Sequence, residues 1–129
     1  MEMEIGFPGG QKIETRLKGE TIVVGSDSEN ASGLEPLDLF FVSLGLCAAK
    51  YVMEFCRPRH IPHERARVLL RTEWSERTKM HTKVTIDITL PQEFPAKYRT
   101  AVMRSVDLCS VKKHIVEPPT FEVDARIGS

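Results

Sequence analysis

Three cysteines, Cys47, Cys56 and Cys109, carry most of the chemistry available to this 129-residue chain. Cys47 lies at the middle of residues 36–58, PLDLFFVSLGLCAAKYVMEFCRP, a stretch apolar on almost every side. At about 100° per residue, Ser43, Cys47, Lys50, Glu54 and Arg57 form one narrow stripe, and Val42, Ala49, Met53 and Cys56 lie opposite. A hydroxyl one turn before Cys47 and an ammonium about one turn after it would favour the thiolate, which is the reactive form of cysteine. Glu54, about two turns on, works against this. The competing reading is that Cys47 is one more small buried hydrophobe. Cys56, on the apolar side, is expected to be inert packing.

Other constellations are weaker. Cys56, His60 and His63 have spacings that could ligate zinc, but a fourth neighbouring ligand is missing and the wheel turns Cys56 into the core, so no metal site is expected. His81 is expected on an exposed strand face, His114 against the carbonyls of a helix end, and Trp74 in core or sheet packing. No glycine-rich phosphate loop and no Ser/His/Asp arrangement is visible.

The elements around the cysteines follow from pattern and punctuation. Residues 11–17 and 20–24 read as two strands joined by Lys18-Gly19, a turn with glycine available for positive φ. Residues 3–7 add a third strand before Pro8-Gly9-Gly10. Residues 25–35 are a polar loop that delivers the chain to Pro36, suited to the first helical position, with Asp38 in the first turn, where the helix dipole favours an anion. The helix should stop before Arg57-Pro58-Arg59. Residues 66–74 and 79–90 form a hairpin; in the second, Val84, Ile86, Ile88 and Leu90 alternate with Thr85, Asp87 and Thr89, a strand wet on one face. Residues 96–108 place Tyr98, Val102, Val106 and Cys109 on one helical face, so Cys109 is expected to point inward near the end of a second helix. After Pro118-Pro119, Phe121, Val123, Ala125 and Ile127 alternate with polar residues as a last strand. The order is β-β(-β)-α-β-β-α-β, an α+β fold with antiparallel sheets around a long central helix.

Length and charge bound the rest. The chain is one domain, residues 1–129, of ordinary size. Eighteen basic residues balance eighteen acidic ones with no basic block, which argues against nucleic-acid partners. The opening MEMEIGFPGG lacks a basic and then apolar leader, and the dense apolar run 39–49 falls short of the roughly 20 residues of a membrane span. A cytoplasmic protein is expected, in which an odd number of cysteines argues for redox, catalytic or plain buried roles over a disulfide framework. A helix this apolar is hard to cover within one copy, and burial against a second copy is the simplest remedy, so a homodimer is expected.

These residues carry a resemblance. Pro36 followed eleven residues later by Cys47 and Ala48-Ala49 in a long apolar helix resembles the first cysteine motif of the OsmC/Ohr family, and Cys109-Ser110-Val111 resembles its second, usually written Cys-Pro-Val. The order of elements, including Arg57-Pro58-Arg59-His60-Ile61-Pro62 ahead of a hairpin, extends the resemblance to essentially the whole chain. It implies an interwoven homodimer with sites at the subunit interface, and a thiol-dependent peroxidase that reduces organic hydroperoxides with an external thiol reductant and no metal or cofactor. Cys47 would be the peroxidatic nucleophile and Cys109 the resolving cysteine. The family's activating arginine comes from the N-terminal sheet, where Arg16 is the only arginine. Two departures stand out: Leu37 occupies the position of a family glutamate, for which Asp38, about 180° from Cys47 on a continuous helix, cannot substitute without a bend, and Ser110 replaces the proline. The rival reading is a non-catalytic dimeric module that binds a small apolar ligand between subunits, and a third is a different thiol enzyme acting through Cys47.

Overall fold

The computed structural model describes residues 1–26 and 33–128. Its contacts divide the chain into two compact units, Met1–Val42 and Ser43–Ser129, with the boundary inside one continuous helix. That helix, α1 (Pro36–Cys56), is 21 residues long. Proline opens it, and the Asp38 carboxylate accepts the Glu35 N–H at 2.8 Å, so the first turn is held as its residue types anticipate. It ends at Cys56, followed by a 3₁₀ turn at Arg57–Arg59, where His60 takes a left-handed φ of 54°.

The first unit holds an antiparallel sheet in the order β1 (Ile5–Gly9), β2 (Gln11–Leu17), β3 (Glu20–Ser26). Lys18 and Gly19 both take positive φ, 53° and 82°, giving the tight turn whose twist matches the strands it joins. β1 lies two residues later than its sequence pattern suggests and runs through Pro8, which an edge strand tolerates. Gly25 and Ser26 finish β3 instead of opening a loop, and a Cβ on Gly25 would stand 2.0 Å from the Gln11 carbonyl oxygen, so only glycine fits there. Residues 27–32 of the expected polar loop lie outside the described residues.

In the second unit β4 (Arg67–Ser75) pairs with β5 (Met80–Thr89) as an antiparallel hairpin with a register shift between Glu73 and Trp74. Val68, Leu70, Ile86 and Ile88 are half-buried, while Arg71 and Asp87 pair at 2.6 Å on exposed positions. The helix α1 approaches this hairpin where it carries no side chain: a Cβ on Gly45 would lie 3.8 Å from Leu70 Cδ1. Val52, Phe55, Cys56, Ile61, Phe94 and Val102 form the core, with Ile88, Leu90 and Tyr98 packed against it. The stretch Pro36–Arg59 has the length and composition of a membrane span, more than the 39–49 run suggests, yet one side of it supplies this core.

Three expectations need correction. Residues 96–108 are not one helix: a 3₁₀ turn, Ala96–Tyr98, leads into α2 (Arg99–Asp107), and Cys109 does not close it. Its φ of −46° and ψ of 120° are extended, which breaks the helical path and starts a separate α3 (Ser110–Val116). The last strand does not form: residues 117–128 carry no regular structure, and Phe121, Val123 and Ile127 are exposed. Alternation says which side a strand would hide, but backbone N–H and C=O groups need a neighbouring edge, and among the described residues none pairs with this segment. His81 is not on an open face; it is half-buried, 2.8 Å from Thr72 Oγ1 and edge-on to the Trp74 ring. The order is therefore β-β-β-α-β-β-α-α, still α+β, with two antiparallel sheets.

Candidate functional site

Within the second unit α1 and the α2–α3 junction bring two distant cysteines together. Cys47 is 8% exposed and Cys109 5% exposed, and both are free thiols. Burial pushes the Cys47 thiol up. Hydrogen bonds from the Cys109 thiol, the Val111 N–H, and the hydroxyl and N–H of Ser110 outweigh it and hold Cys47 below its ordinary value. For Cys109, burial and the hydrogen bond that it gives to Cys47 both raise the thiol, while the Lys112 and Val111 N–H groups pull the other way without reversing it. One sulfur of the pair is thus set to ionise first, while its neighbour keeps a proton.

The local fold explains why these donors are available. The first N–H groups of a helix have no acceptor within it, and the extended Cys109 starts α3 immediately beside Cys47, freeing the N–H groups of Ser110 and Val111 for the sulfur. The bond from Lys113 N–H to the Cys109 carbonyl, 3.0 Å, closes the first turn behind them. The arrangement suits a thiolate nucleophile with a second thiol in reach of its oxidised product.

The polar stripe does less than its spacing suggests. Lys50 pairs with Glu54 at 3.7 Å on an exposed part of α1, and the groups that lower Cys47 do not include it. Val111, and Ser110 as a donor, were not legible as activating groups; the one sequence signal was a serine directly after Cys109. Arg16 is exposed on β2, opposite Thr21, in the first unit, and Leu37 is 51% exposed at the start of α1. Asp38 serves the helix start through its bond from Glu35. Cys56 is fully buried in the core, and burial raises its thiol, as inert packing requires. His114 Nδ1 lies 2.6 Å from the Ser110 carbonyl oxygen, a helix-carbonyl contact as expected. Trp74 packs on the sheet, with its indole N–H donated to Glu76. Among the described residues no group of three or more His, Cys, Asp or Glu side chains could hold a metal ion.

Residues 26–124 match the family of OsmC-like proteins. No curated protein matches the sequence. Among solved structures, a protein from Psychrobacter arcticus 273-4 assigned to the osmotic stress induced and detoxification response superposes with a TM-score of 0.69 at 18% identity, covering 86% of this chain and 85% of that one. A hypothetical protein from Aquifex aeolicus VF5 gives a TM-score of 0.69 at 20% identity, covering 91% and 87%. At these identities the likeness is one of fold.

Proposed function

Because the chain belongs to the OsmC-like protein family, we propose that it is a thiol-dependent peroxidase of oxidative-stress defence, reducing organic hydroperoxides through Cys47 and Cys109. The observation that carries this reading is the hydrogen bond from the Cys109 thiol to Cys47, with the two thiols shifted in opposite directions. In the first step the Cys47 thiolate attacks the distal oxygen of the hydroperoxide. The O–O bond breaks, the alkoxide leaves and takes up a proton as the alcohol, and Cys47 becomes a sulfenic acid. Cys109 then attacks the oxidised sulfur, hydroxide departs as water, and a disulfide forms that two equivalents of an external thiol reduce. The resolving thiol is already in contact, so this step needs no large search. The apolar composition of α1 on either side of Cys47 favours an alkyl or fatty-acid peroxide as substrate. We read the protein as a cytoplasmic homodimer, consistent with three free cysteines and with Leu46 of α1 and Leu69 of β4 left 65% and 55% exposed.

The test is a count of free thiols before and after one equivalent of cumene hydroperoxide, with the disulfide mapped by mass spectrometry. The expected result is loss of the Cys47 and Cys109 thiols into one linked peptide pair, with Cys56 untouched. A Cys47 that stays unmodified in excess hydroperoxide would sink the reading and put a ligand-binding dimer ahead.

A further inference from the structure

Two short segments far apart in the sequence, Arg57-Pro58-Arg59 and Lys97-Tyr98-Arg99, each hold two basic residues one position apart and no acidic one. The fold joins them through an aromatic contact, in which the Tyr98 ring meets Phe55 edge-on at 5.8 Å. The Arg59 guanidinium lies 3.9 Å from the Phe55 ring centre and 5.8 Å from that of Tyr98, and the Lys97 ammonium lies 5.1 Å from the Tyr98 centre. One aromatic ring thus carries two cations. Like charges repel, so the arrangement is unfavourable unless something negative answers it. The carboxylates nearest along the chain are engaged elsewhere: Glu54 with Lys50, Glu93 with Arg65, and Glu64 with the His63 N–H. Among the described residues neither Arg59 nor Lys97 pairs with a carboxylate, and the Tyr98 hydroxyl has no hydrogen-bond partner.

We propose that Arg59, Lys97 and the Tyr98 hydroxyl form a binding site for a phosphate monoester, separate from the thiol pair. Phe55 stands about 12 Å along α1 from Cys47 by helical rise, so a ligand here does not occupy the sulfur. Arg59 is held ready: its guanidinium stacks on Phe55 and donates one N–H to the Phe55 carbonyl at 2.8 Å, which leaves the rest of the fork for a ligand with little side-chain freedom still to lose. The guanidinium supplies paired donors, the ammonium a point charge and the hydroxyl a further O–H. That set matches an anion with three oxygens and nearly two charges. A carboxylate, with one charge, would answer only one of the two cations. Arg57 and Arg99, exposed on the same two segments, add to the positive field.

The test is a titration of the isotope-labelled protein with inorganic phosphate at slightly alkaline pH and constant ionic strength, followed by amide NMR shifts. The expected result is saturable shifts around Arg59 and Tyr98 that sodium chloride of matched ionic strength does not produce. Lys97→Gln, a change at an exposed side chain, should weaken the fitted affinity by about two- to fivefold. Tyr98→Phe, which keeps the ring and both stacked cations, should weaken it by a similar factor through the lost hydroxyl. Shifts that rise linearly, that chloride reproduces, or that both variants leave unchanged overturn the assignment. Vesicles containing phosphatidic acid present the same phosphomonoester on a membrane, and binding to these with no response to free phosphate would overturn the soluble ligand as well. None of these outcomes depends on whether Cys47 reduces hydroperoxides.

Discussion

Two thiols share one hydrogen bond, and its direction decides which of them ionises first. Cys109 donates and Cys47 accepts, so the charge on Cys47 is favoured and the proton on Cys109 is retained. A lowered thiol is deprotonated at lower pH, so Cys47 should react with iodoacetamide at a lower pH than Cys109 and Cys56, both of which burial raises. Alkylation followed residue by residue across neutral to alkaline pH checks this, and Cys56 reacting ahead of Cys47 would contradict it. The roles also predict an asymmetry between variants. Cys47→Ser should abolish hydroperoxide consumption, whereas Cys109→Ser should react once and halt as a sulfenic acid that dimedone traps. Equal loss in both, with no trapped adduct, would place the two cysteines in packing roles instead.

At the scale of the element, α1 is organised by what it lacks as much as by what it carries. Glycine inside a helix is unfavourable by about 0.5–1 kcal/mol relative to alanine, and at Gly45 an added methyl would sit in ordinary contact with Leu70, 3.8 Å away. Gly45→Ala should therefore raise stability by roughly that amount, read as a higher urea midpoint with an unchanged slope. Clashes that lower the midpoint would show that α1 and β4 are packed more tightly than this distance indicates. On the core side, Cys56 is fully buried among Val52, Phe55, Phe94 and Val102. Truncating it to alanine should cost about 1–2 kcal/mol through the small void left behind and leave hydroperoxide turnover intact.

At the scale of the whole molecule, several large apolar side chains stand exposed. Val42 and Leu46 on α1 are 47% and 65% exposed, and Leu69 on β4 is 55% exposed. Exposed apolar side chains like these are candidates for burial in a contact, and a second copy is the partner that needs no further component. Sedimentation at micromolar concentration should find a dimer. A folded monomer under those conditions would defeat the prediction and require another cover for α1.

The sequence by itself determined the elements whose signals are local. Pro36 and Asp38 mark a helix start, Lys18-Gly19 a tight turn and the alternation from Ile86 to Thr89 a half-buried strand, though Val84, expected on the hidden face, is exposed, and each signal depends only on neighbours along the chain. That Cys47 and Cys109 belong together was implied by the resemblance of the motifs around them, and no periodicity of α1 showed it. Contacts between distant segments were not legible. The Lys50 spacing pointed to Cys47, but that ammonium pairs with Glu54 one turn along the same helix, and it is the return of the chain at α3 that brings Ser110 and Val111 to the sulfur. The pattern at Phe121, Val123 and Ile127 promised a strand, but a strand exists only where another edge accepts its hydrogen bonds. Periodicity records which face of a segment is apolar; which donor or edge meets it depends on where the chain returns in space.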